Sequence, residues 1–194
     1  RSLSFSLSSM HYSIQSFESA AAFMRDALPI APAVILLDLH MPEKNGLSLQ
    51  QQLREEGRET PIIFISGESQ PTEIIQALKN GADDFLLKPF RLHTLIDAID
   101  LALKKDKVQL AARINASKAQ ELFMSLTEKE KEICRWMIKG HGNKEIAVMN
   151  DSAASTVKLH RSRVLEKMGC ATLSELLEMA MDGESRILEI FQPP

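Results

Sequence analysis

The chain has 194 residues, which is enough for one large domain or two small ones. Its residues are 44% apolar and 25% charged, as in ordinary globular proteins, and no apolar run reaches the length of a membrane span. The net charge of −3 excludes a general attraction to nucleic acids or membrane surfaces. The two cysteines, Cys134 and Cys170, lie in apolar, helix-like stretches, which favours buried thiols in a reducing compartment over a disulfide.

The charge is distributed unevenly along the chain. Residues 1–102 hold 8 Lys/Arg against 13 Asp/Glu, whereas residues 103–118 hold five basic residues and one acidic residue. Basic residues cluster again between Lys158 and Lys167. An acidic first half joined to a second half with basic stretches predicts two domains with different tasks.

The first half of the chain predicts alternating strands and helices. The predicted strands are 12–17, 34–39, 61–67 and 84–90, and the predicted helices are 18–28, 47–56, 72–80 and a long one beginning near Arg91. Continuous apolar strands such as VILLDL and PIIFISG are typical of a parallel sheet covered by helices on both faces. In such sheets the ligand site lies at the carboxyl ends of the strands.

Polar groups stand at three of these strand ends. Asp38 follows one apolar strand, Ser66 ends the next, and Lys88-Pro89 ends the last. A carboxylate in this position can attack a phosphoryl group as a nucleophile, and the hydroxyl and ammonium can hold the oxygens of the product. The acidic pair Asp83-Asp84 precedes its strand, so we interpret it as a solvated loop and not as a metal site.

The second half predicts short helices only. Thr127 and Glu130 form a capping box at the start of the first, and Gly140 and Gly142 end it. The later helices are predicted at 143–149, 153–168 and 172–181. Two short helices, a tight turn and a third helix with basic side chains are typical of a helix-turn-helix.

These motifs resemble two known domain families. The first half resembles a response-regulator receiver domain, through Asp38 in LLDLHMPEKNG, Ser66 in FISG and Lys88-Pro89 in FLLKPF. The second half resembles a LuxR-type helix-turn-helix, through LTEKEKEI, GNKEIA and TVKLHRSRVLEKM. In this order the motifs are similar to those of the NarL/FixJ family of two-component response regulators. The resemblance implies an α/β flavodoxin-like receiver domain with a parallel sheet, followed by an all-α LuxR-type domain. The implied divisions are a receiver domain at 1–103, a helical linker at 104–122 and a DNA-binding domain at 123–194.

The resemblance implies a phosphorylation site. Asp38 matches the aspartate that accepts a phosphoryl group from a sensor histidine kinase, and Ser66 matches the switch hydroxyl that meets it. Lys88 matches the lysine that pairs with the phosphate, and Phe85 matches the switch aromatic. Mg²⁺ is the implied cofactor, with the Asp38 carboxylate and the backbone carbonyl of His40 among its ligands.

One feature of receiver domains is absent from this chain. Their first strand ends in two acidic residues that help hold Mg²⁺, whereas this sequence begins in a segment that resembles the following helix. We therefore expect about 12–20 residues of the natural chain to precede Arg1. Without them, Mg²⁺ binding and phosphorylation would be impaired, because Mg²⁺ needs several oxygen ligands.

The resemblance also implies DNA contacts. Lys158, Leu159 and Ser162 match the base-reading positions of the recognition helix. The implied contacts to phosphates, or packing near the DNA backbone, involve Asn143, Lys144, Thr156, His160, Arg161, Arg163 and Lys167. Strong binding needs two copies on paired half-sites, and the apolar stripe of 172–181 is predicted to be a dimer surface.

The turn before the recognition helix departs from the family pattern. The residues Asn150, Asp151, Ser152 and Ala153 stand where an apolar, any, apolar, hydroxyl pattern is usual. We predict that Ser152 caps the recognition helix one residue early and that Met149 fills the vacant apolar pocket.

These patterns predict a cytoplasmic transcriptional regulator controlled by phosphorylation, with DNA and a sensor histidine kinase as partners. It is expected to dimerise on phosphorylation or on DNA, to bind no membrane and to be no enzyme in the ordinary sense. One alternative stays open: a phosphorylation-independent DNA-binding regulator with a degenerate receiver that serves protein contacts only. A small hydrolase is disfavoured, because the chain has no glycine-rich phosphate loop and no nucleophile elbow.

Overall fold

The computed structural model describes residues 2–26, 31–41 and 44–181. Contacts between residues divide the chain into two compact units, Arg1–Val108 and Gln109–Pro194. In the part of the chain that the structure describes, no helix combines the length and apolar character needed to cross a membrane.

A parallel sheet forms the centre of the first unit. Its strands are β1 (Ile35–Asp38), β2 (Ile62–Ser66) and β3 (Asp84–Leu87), paired in the order β1-β2-β3. Every residue of the middle strand is buried, which explains its unbroken apolar sequence. The register pairs Asp38 with Ile65 and Ser66 with Leu87, so the three strands end at one common edge.

Helices cover both faces of this sheet. The helices are α1 (Ser2–Ser8), α2 (Ala20–Arg25), α3 (Gly46–Glu55), α4 (Pro71–Lys79) and α5 (Leu92–Met124). Successive side chains of a strand point to opposite faces. Ile62 and Phe64 accordingly join an apolar cluster with side chains of α2, α3 and α4. Ile63 and Ile65 join a second cluster, with side chains of α1 and α5.

The predicted strand over 12–17 is wrong, because these residues lie in irregular structure between α1 and α2. A strand needs a neighbour for its ladder of hydrogen bonds. In the described sheet, β1 pairs with β2 only, and the flavodoxin-like order would place another strand between 12–17 and β1. Two side chains of this segment serve instead as separate anchors: Tyr12 packs against the second cluster, and the ring of Phe17 contacts Phe23 edge-on at 5.1 Å, whereas Ile14 is exposed. The predicted helix over 18–28 is found as the shorter α2, and residues 27 and 28 lie outside the described residues.

The interpretation of Asp83 as a solvated residue is also wrong. Its side chain is 12% exposed, its Oδ2 accepts a hydrogen bond from the Ile62 N–H at 3.1 Å, and it forms an ion pair with Lys105 of α5. The Asp83 carboxylate thus accepts a backbone N–H at the start of β2 that has no acceptor in the hydrogen-bond ladder between the strands. Asp106 acts similarly, since its buried Oδ2 accepts the N–H of Ala33 at 2.8 Å. Residues of α5 as far as Asp106 therefore belong to the packing of the first unit.

The second unit contains α6 (Glu128–Ile138), α7 (Asn143–Met149), α8 (Ala154–Lys167) and α9 (Leu173–Met181). The predicted capping box is present, because Thr127 Oγ1 accepts the Glu130 N–H at 3.3 Å and Glu130 Oε2 accepts the Thr127 N–H at 2.9 Å. Ile133, Val157, Val164, Leu176 and other apolar side chains of all four helices form one core. Cys134 and Cys170 are buried in it as free thiols.

The predicted cap of α8 is wrong. The N-cap is Ala153, which makes no side-chain cap bond, and Met149 is 48% exposed and fills no pocket. The reason is the way α7 ends. Asp151 has a φ of 44°, and the N–H of Ser152 donates to the carbonyl of Ala147 at 3.0 Å. This is a Schellman motif, which uses Ser152 to end α7 and leaves α8 to begin one residue later.

Candidate functional sites

The carboxyl edge of the sheet brings two of the predicted site residues into contact. Asp38 is the last residue of β1, and Lys88 directly follows β3. Lys88 Nζ lies 3.1 Å from Asp38 Oδ2, and the Lys88 N–H donates to the carbonyl of Ser66 at 2.7 Å. The side chains of Lys88 and Asp38 are 47% and 44% exposed. A reagent from solvent can therefore reach a carboxylate that already has a cation beside it.

The two oxygens of Asp38 have different donors. Oδ2 faces the Lys88 ammonium, and Oδ1 accepts the backbone N–H of His40 at 3.1 Å. These bonds fix the orientation of the carboxylate while its exposed lone pairs stay available. His40 itself is exposed, and its Nε2 lies 3.8 Å from Glu73 Oε1 on α4. The arrangement suits an oriented nucleophile next to a fixed positive charge.

Ser66 lies at the adjoining strand end, but its hydroxyl is engaged elsewhere. The side chain is buried, and Oγ donates to the carbonyl of Glu68 at 2.6 Å. Any contact of this hydroxyl with a group on Asp38 requires it to leave the Glu68 carbonyl. Strand position alone predicts where Ser66 lies. The acceptor of the Ser66 hydroxyl, however, is set by the conformation of the loop after β2.

Phe85 points into the core in this structure. It is half-buried, packs against the cluster that contains Phe64, and stacks on the Phe64 ring with 5.7 Å between centroids and 17° between planes. An aromatic switch role would require this ring to leave the stack.

Gly46 is a site residue that the sequence analysis missed. It begins α3, and a Cβ there would lie 2.6 Å from the carbonyl oxygen of Asp38 and 3.0 Å from the Phe64 ring. Its N–H donates to the carbonyl of Leu39 at 2.9 Å. Only a residue without a side chain allows α3 to pack this closely behind the end of β1. The signal was the Asn-Gly pair that ends DLHMPEKNG, where Asn45 caps α3 by accepting the Leu47 N–H at 2.9 Å.

The described residues do not by themselves complete a Mg²⁺ site. The predicted ligands are the Asp38 carboxylate and the His40 carbonyl, and no group of three or more His, Cys, Asp or Glu side chains that could hold a metal occurs among the described residues. Mg²⁺ requires near-octahedral oxygen coordination. One carboxylate and one carbonyl supply fewer oxygens than this coordination needs.

The helix α8 presents much of its predicted DNA-contacting set to solvent. Lys158, Leu159 and Ser162, the predicted base-reading residues, are all exposed, and Leu159 is 52% exposed despite being apolar. The predicted phosphate-contacting residues Thr156 and Arg163 on α8 and Lys144 on α7 are also exposed, whereas Asn143 and His160 are half-buried. An exposed leucine beside cationic and small polar groups is compatible with recognition of a DNA groove.

Two of the predicted DNA contacts are engaged within the domain. Arg161 is half-buried, and its Nη1 donates to the carbonyl of His141 at 2.9 Å. Lys167 Nζ donates to Glu130 Oε2 at 2.6 Å. This bond and the capping bond from the Thr127 backbone lower the pKa of Glu130 to about 2, against the opposing effect of its burial.

The predicted dimer stripe on 172–181 is largely used inside the domain. Leu176 and Ala180 are buried in the core, and Leu173 and Met179 pack against it. Met181 is 74% exposed. Part of the stripe therefore attaches α9 to its own domain, and a dimer surface on this helix stays a prediction.

Comparisons with known proteins find two family matches along the chain. The family model for the response regulator receiver domain matches residues 1–100, and the model for bacterial regulatory proteins of the luxR family matches residues 124–180. The response regulator protein TodT of Pseudomonas putida is 36% identical over 171 residues, which cover 88% of this chain and 75% of TodT. The transcriptional regulatory protein FixJ of Rhizobium meliloti is 31% identical over 183 residues, covering 94% of this chain and 90% of FixJ. The solved structure of the response regulator StyR matches with a TM-score of 0.80 at 32% identity, covering 93% of this chain and 91% of StyR.

Fold and sequence together define a receiver domain joined to a LuxR-type helix-turn-helix domain. The chain belongs to the NarL/FixJ family of two-component response regulators.

Proposed function

We propose that this response regulator accepts a phosphoryl group on Asp38 from a sensor histidine kinase and thereby controls DNA binding and transcription. The observation that carries the proposal is the 3.1 Å contact between Asp38 Oδ2 and Lys88 Nζ at the open edge of the sheet. Family membership supports it, because the same chain carries a LuxR-type domain.

The transfer step follows from this geometry. An oxygen of Asp38 attacks the phosphorus of a phosphohistidine, an O–P bond forms, the P–N bond breaks, and the imidazole leaves with the electron pair. The adjacent Lys88 ammonium neutralises negative charge on the phosphoryl oxygens. Ser66 then exchanges the Glu68 carbonyl for a phosphoryl oxygen, and Phe85 leaves its stack on Phe64.

The outcome of phosphorylation is a shift in population. A phosphoryl group that binds one arrangement of Ser66 and Phe85 better than the other favours that arrangement. We propose that the favoured form dimerises, so that two copies of α8 bind paired half-sites. Lys158, Leu159 and Ser162 would read bases, and Lys144, Thr156 and other polar side chains would bind phosphates.

The proposed domain limits are 1–103 for the receiver, 104–122 for the helical linker and 123–194 for the DNA-binding domain, although Lys105 and Asp106 at the start of this linker contact the receiver. The family matches at 1–100 and 124–180 support these limits. A cytoplasmic location and the absence of ordinary enzymatic turnover are parts of the same proposal, because the task is regulation of transcription.

The test is phosphorylation of the protein, expressed from its natural gene, by acetyl phosphate in the presence of Mg²⁺, followed by intact mass measurement. We expect one added phosphoryl group on the wild type and none on Asp38→Asn. Asp84→Asn is the matched control: Asp84 begins β3 at the opposite edge of the sheet, so this variant should still be modified.

DNA fragments selected with the purified protein should bind more tightly after phosphorylation. An unmodified wild type that binds DNA equally well with and without acetyl phosphate would contradict the proposal and support the phosphorylation-independent alternative.

A further inference from the structure

Helix α8 is attached to both ends of α6 by two of its own cationic side chains. Lys167, the last residue of α8, donates to Glu130 in the first turn of α6 at 2.6 Å. Arg161, near the middle of α8, donates at 2.9 Å to the carbonyl of His141, just beyond the end of α6. Two contacts at separate points of α8 fix both its position and its direction relative to α6.

The Lys167 contact is constrained by the burial of its partner. The Glu130 side chain is 5% exposed, and its Oε2 also accepts the Thr127 N–H that closes the capping box. A buried carboxylate that loses its cation is strongly destabilising. Lys167, whose side chain is 41% exposed, therefore has an intramolecular partner that holds its ammonium in place.

The Arg161 contact satisfies a backbone group. His141 lies in the turn between α6 and α7, so no helical hydrogen bond uses its carbonyl, and burial of a backbone carbonyl without a partner costs free energy. The guanidinium of Arg161 is partly buried, which lowers its pKa, and it supplies a donor to His141. Arg163, two residues further on, is exposed, and no hydrogen bond or ion pair joins it to another residue among those described.

We propose that Lys167 and Arg161 are positioning residues, which hold α8 against α6 at the angle needed for DNA and do not neutralise DNA phosphates. Arg163, on the same helix, is the cation that contacts a phosphate. This inference rests on the proposed DNA-binding function and assigns different roles to cations that the sequence pattern treats alike.

The dependence of DNA affinity on salt distinguishes the two roles. A lost phosphate contact lowers the slope of log affinity against log salt by about 1, because one fewer counterion is released on binding. A lost positioning contact weakens binding by a similar factor at every salt concentration and leaves the slope unchanged. The measurement uses the full chain and a DNA fragment selected with the wild-type protein.

We expect all three substitutions to weaken DNA binding. Arg163→Met should lower the slope by about 1, whereas Lys167→Met and Arg161→Met should each change the slope by less than about 0.5. Lys167→Arg should restore wild-type affinity. Lys167→Met leaves the buried Glu130 carboxylate without its cation. Glu130→Gln and the double variant Glu130→Gln/Lys167→Met therefore complete a double-mutant cycle for this contact. The double variant should bind no more weakly than Lys167→Met alone, since both remove one shared contact.

A slope for Lys167→Met that falls as far as that of Arg163→Met would overturn the inference and leave the proposed function intact. Additive losses in the double-variant cycle would overturn it as well. A wild-type chain that binds none of the selected DNA would overturn the proposed function and this inference together.

Discussion

The ammonium of Lys88 lies 3.1 Å from a carboxylate oxygen of Asp38, across 50 residues of sequence. The parallel register creates this contact, because β1 and β3 flank β2 and all three end at the same edge. Both side chains are nearly half exposed. Solvent screens such pairs, so the contact matters more for the chemistry of Asp38 than for folding.

Replacement of Lys88 should therefore impair the response to phosphorylation and leave the stability of the fold nearly unchanged. We expect Lys88→Met to change the free energy of unfolding by less than about 1 kcal/mol. The same variant should lose most of the increase in DNA affinity that follows phosphorylation, because no cation meets the phosphoryl group. Urea unfolding and DNA titration with and without acetyl phosphate measure the two effects. Lys79→Met, in the last turn of α4, should change neither. A Lys88→Met variant with an intact response would contradict this assignment.

Gly46 should be intolerant of even a methyl group. A Cβ at this position would lie 2.6 Å from the Asp38 carbonyl oxygen, which is backbone and cannot rotate away. We expect Gly46→Ala to lower the free energy of unfolding by about 1–3 kcal/mol and to slow phosphorylation by displacing the end of β1. Gly67→Ala is the control for stability, because a Cβ at Gly67 meets no atom within 4 Å. Equal stability of these two variants would show that α3 can move away from β1 at little cost.

The sequence predicts well those elements that depend on local patterns. The apolar run of β2 and the Thr127–Glu130 capping box both contain their own signals, and both are found where expected. The strand-end rule places Asp38 and Lys88 at one edge because it needs only the order of the strands.

The failures concern features that depend on distant or unusual partners. Residues 12–17 alternate like a strand, yet strand formation requires a neighbour that the local sequence does not specify. The end of α7 uses a positive φ at Asp151 where glycine is usual, so the Schellman motif that moves the start of α8 has no clear sequence signal. Lys167 could not be distinguished from the other cations of α8, because its partner Glu130 lies 37 residues earlier.

Tyr12 should titrate far above the usual range. Its hydroxyl donates to Asp100 Oδ1 at 2.6 Å, and this bond, together with burial and the negative charge of Asp100, raises the pKa of Tyr12 to about 12 from 10.0. The stability that this contact contributes is complete below pH 10 and is lost as the pH rises towards about 12.

The chain has a single tyrosine, so ultraviolet absorbance follows the ionisation of Tyr12 alone. Asp100→Asn should move the pKa of Tyr12 towards 10.0, and Asp97→Asn on the same helix should not. An unchanged pKa in Asp100→Asn would show that the contact does not form in solution.

The Glu130–Lys167 pair should give the DNA-binding domain a distinct sensitivity to acid. The Lys167 hydrogen bond and the Thr127 amide lower the pKa of Glu130 from 4.5 to about 2. A carboxyl group with a lower pKa in the folded state stabilises the fold above its unfolded pKa, and this contribution is lost as the pH falls from about 4.5 towards 2.

Trp136, the single tryptophan, lies on α6, so its fluorescence in urea follows the unfolding of this unit. We expect Glu130→Gln to be less stable than the wild type at pH 7 and the difference to shrink as the pH falls through this range. Glu132→Gln, an exposed change on the same helix, should retain the wild-type pH dependence. A difference between wild type and Glu130→Gln that stays constant down to pH 2 would mean that Glu130 is not held as a buried carboxylate, and that α8 is positioned by other contacts.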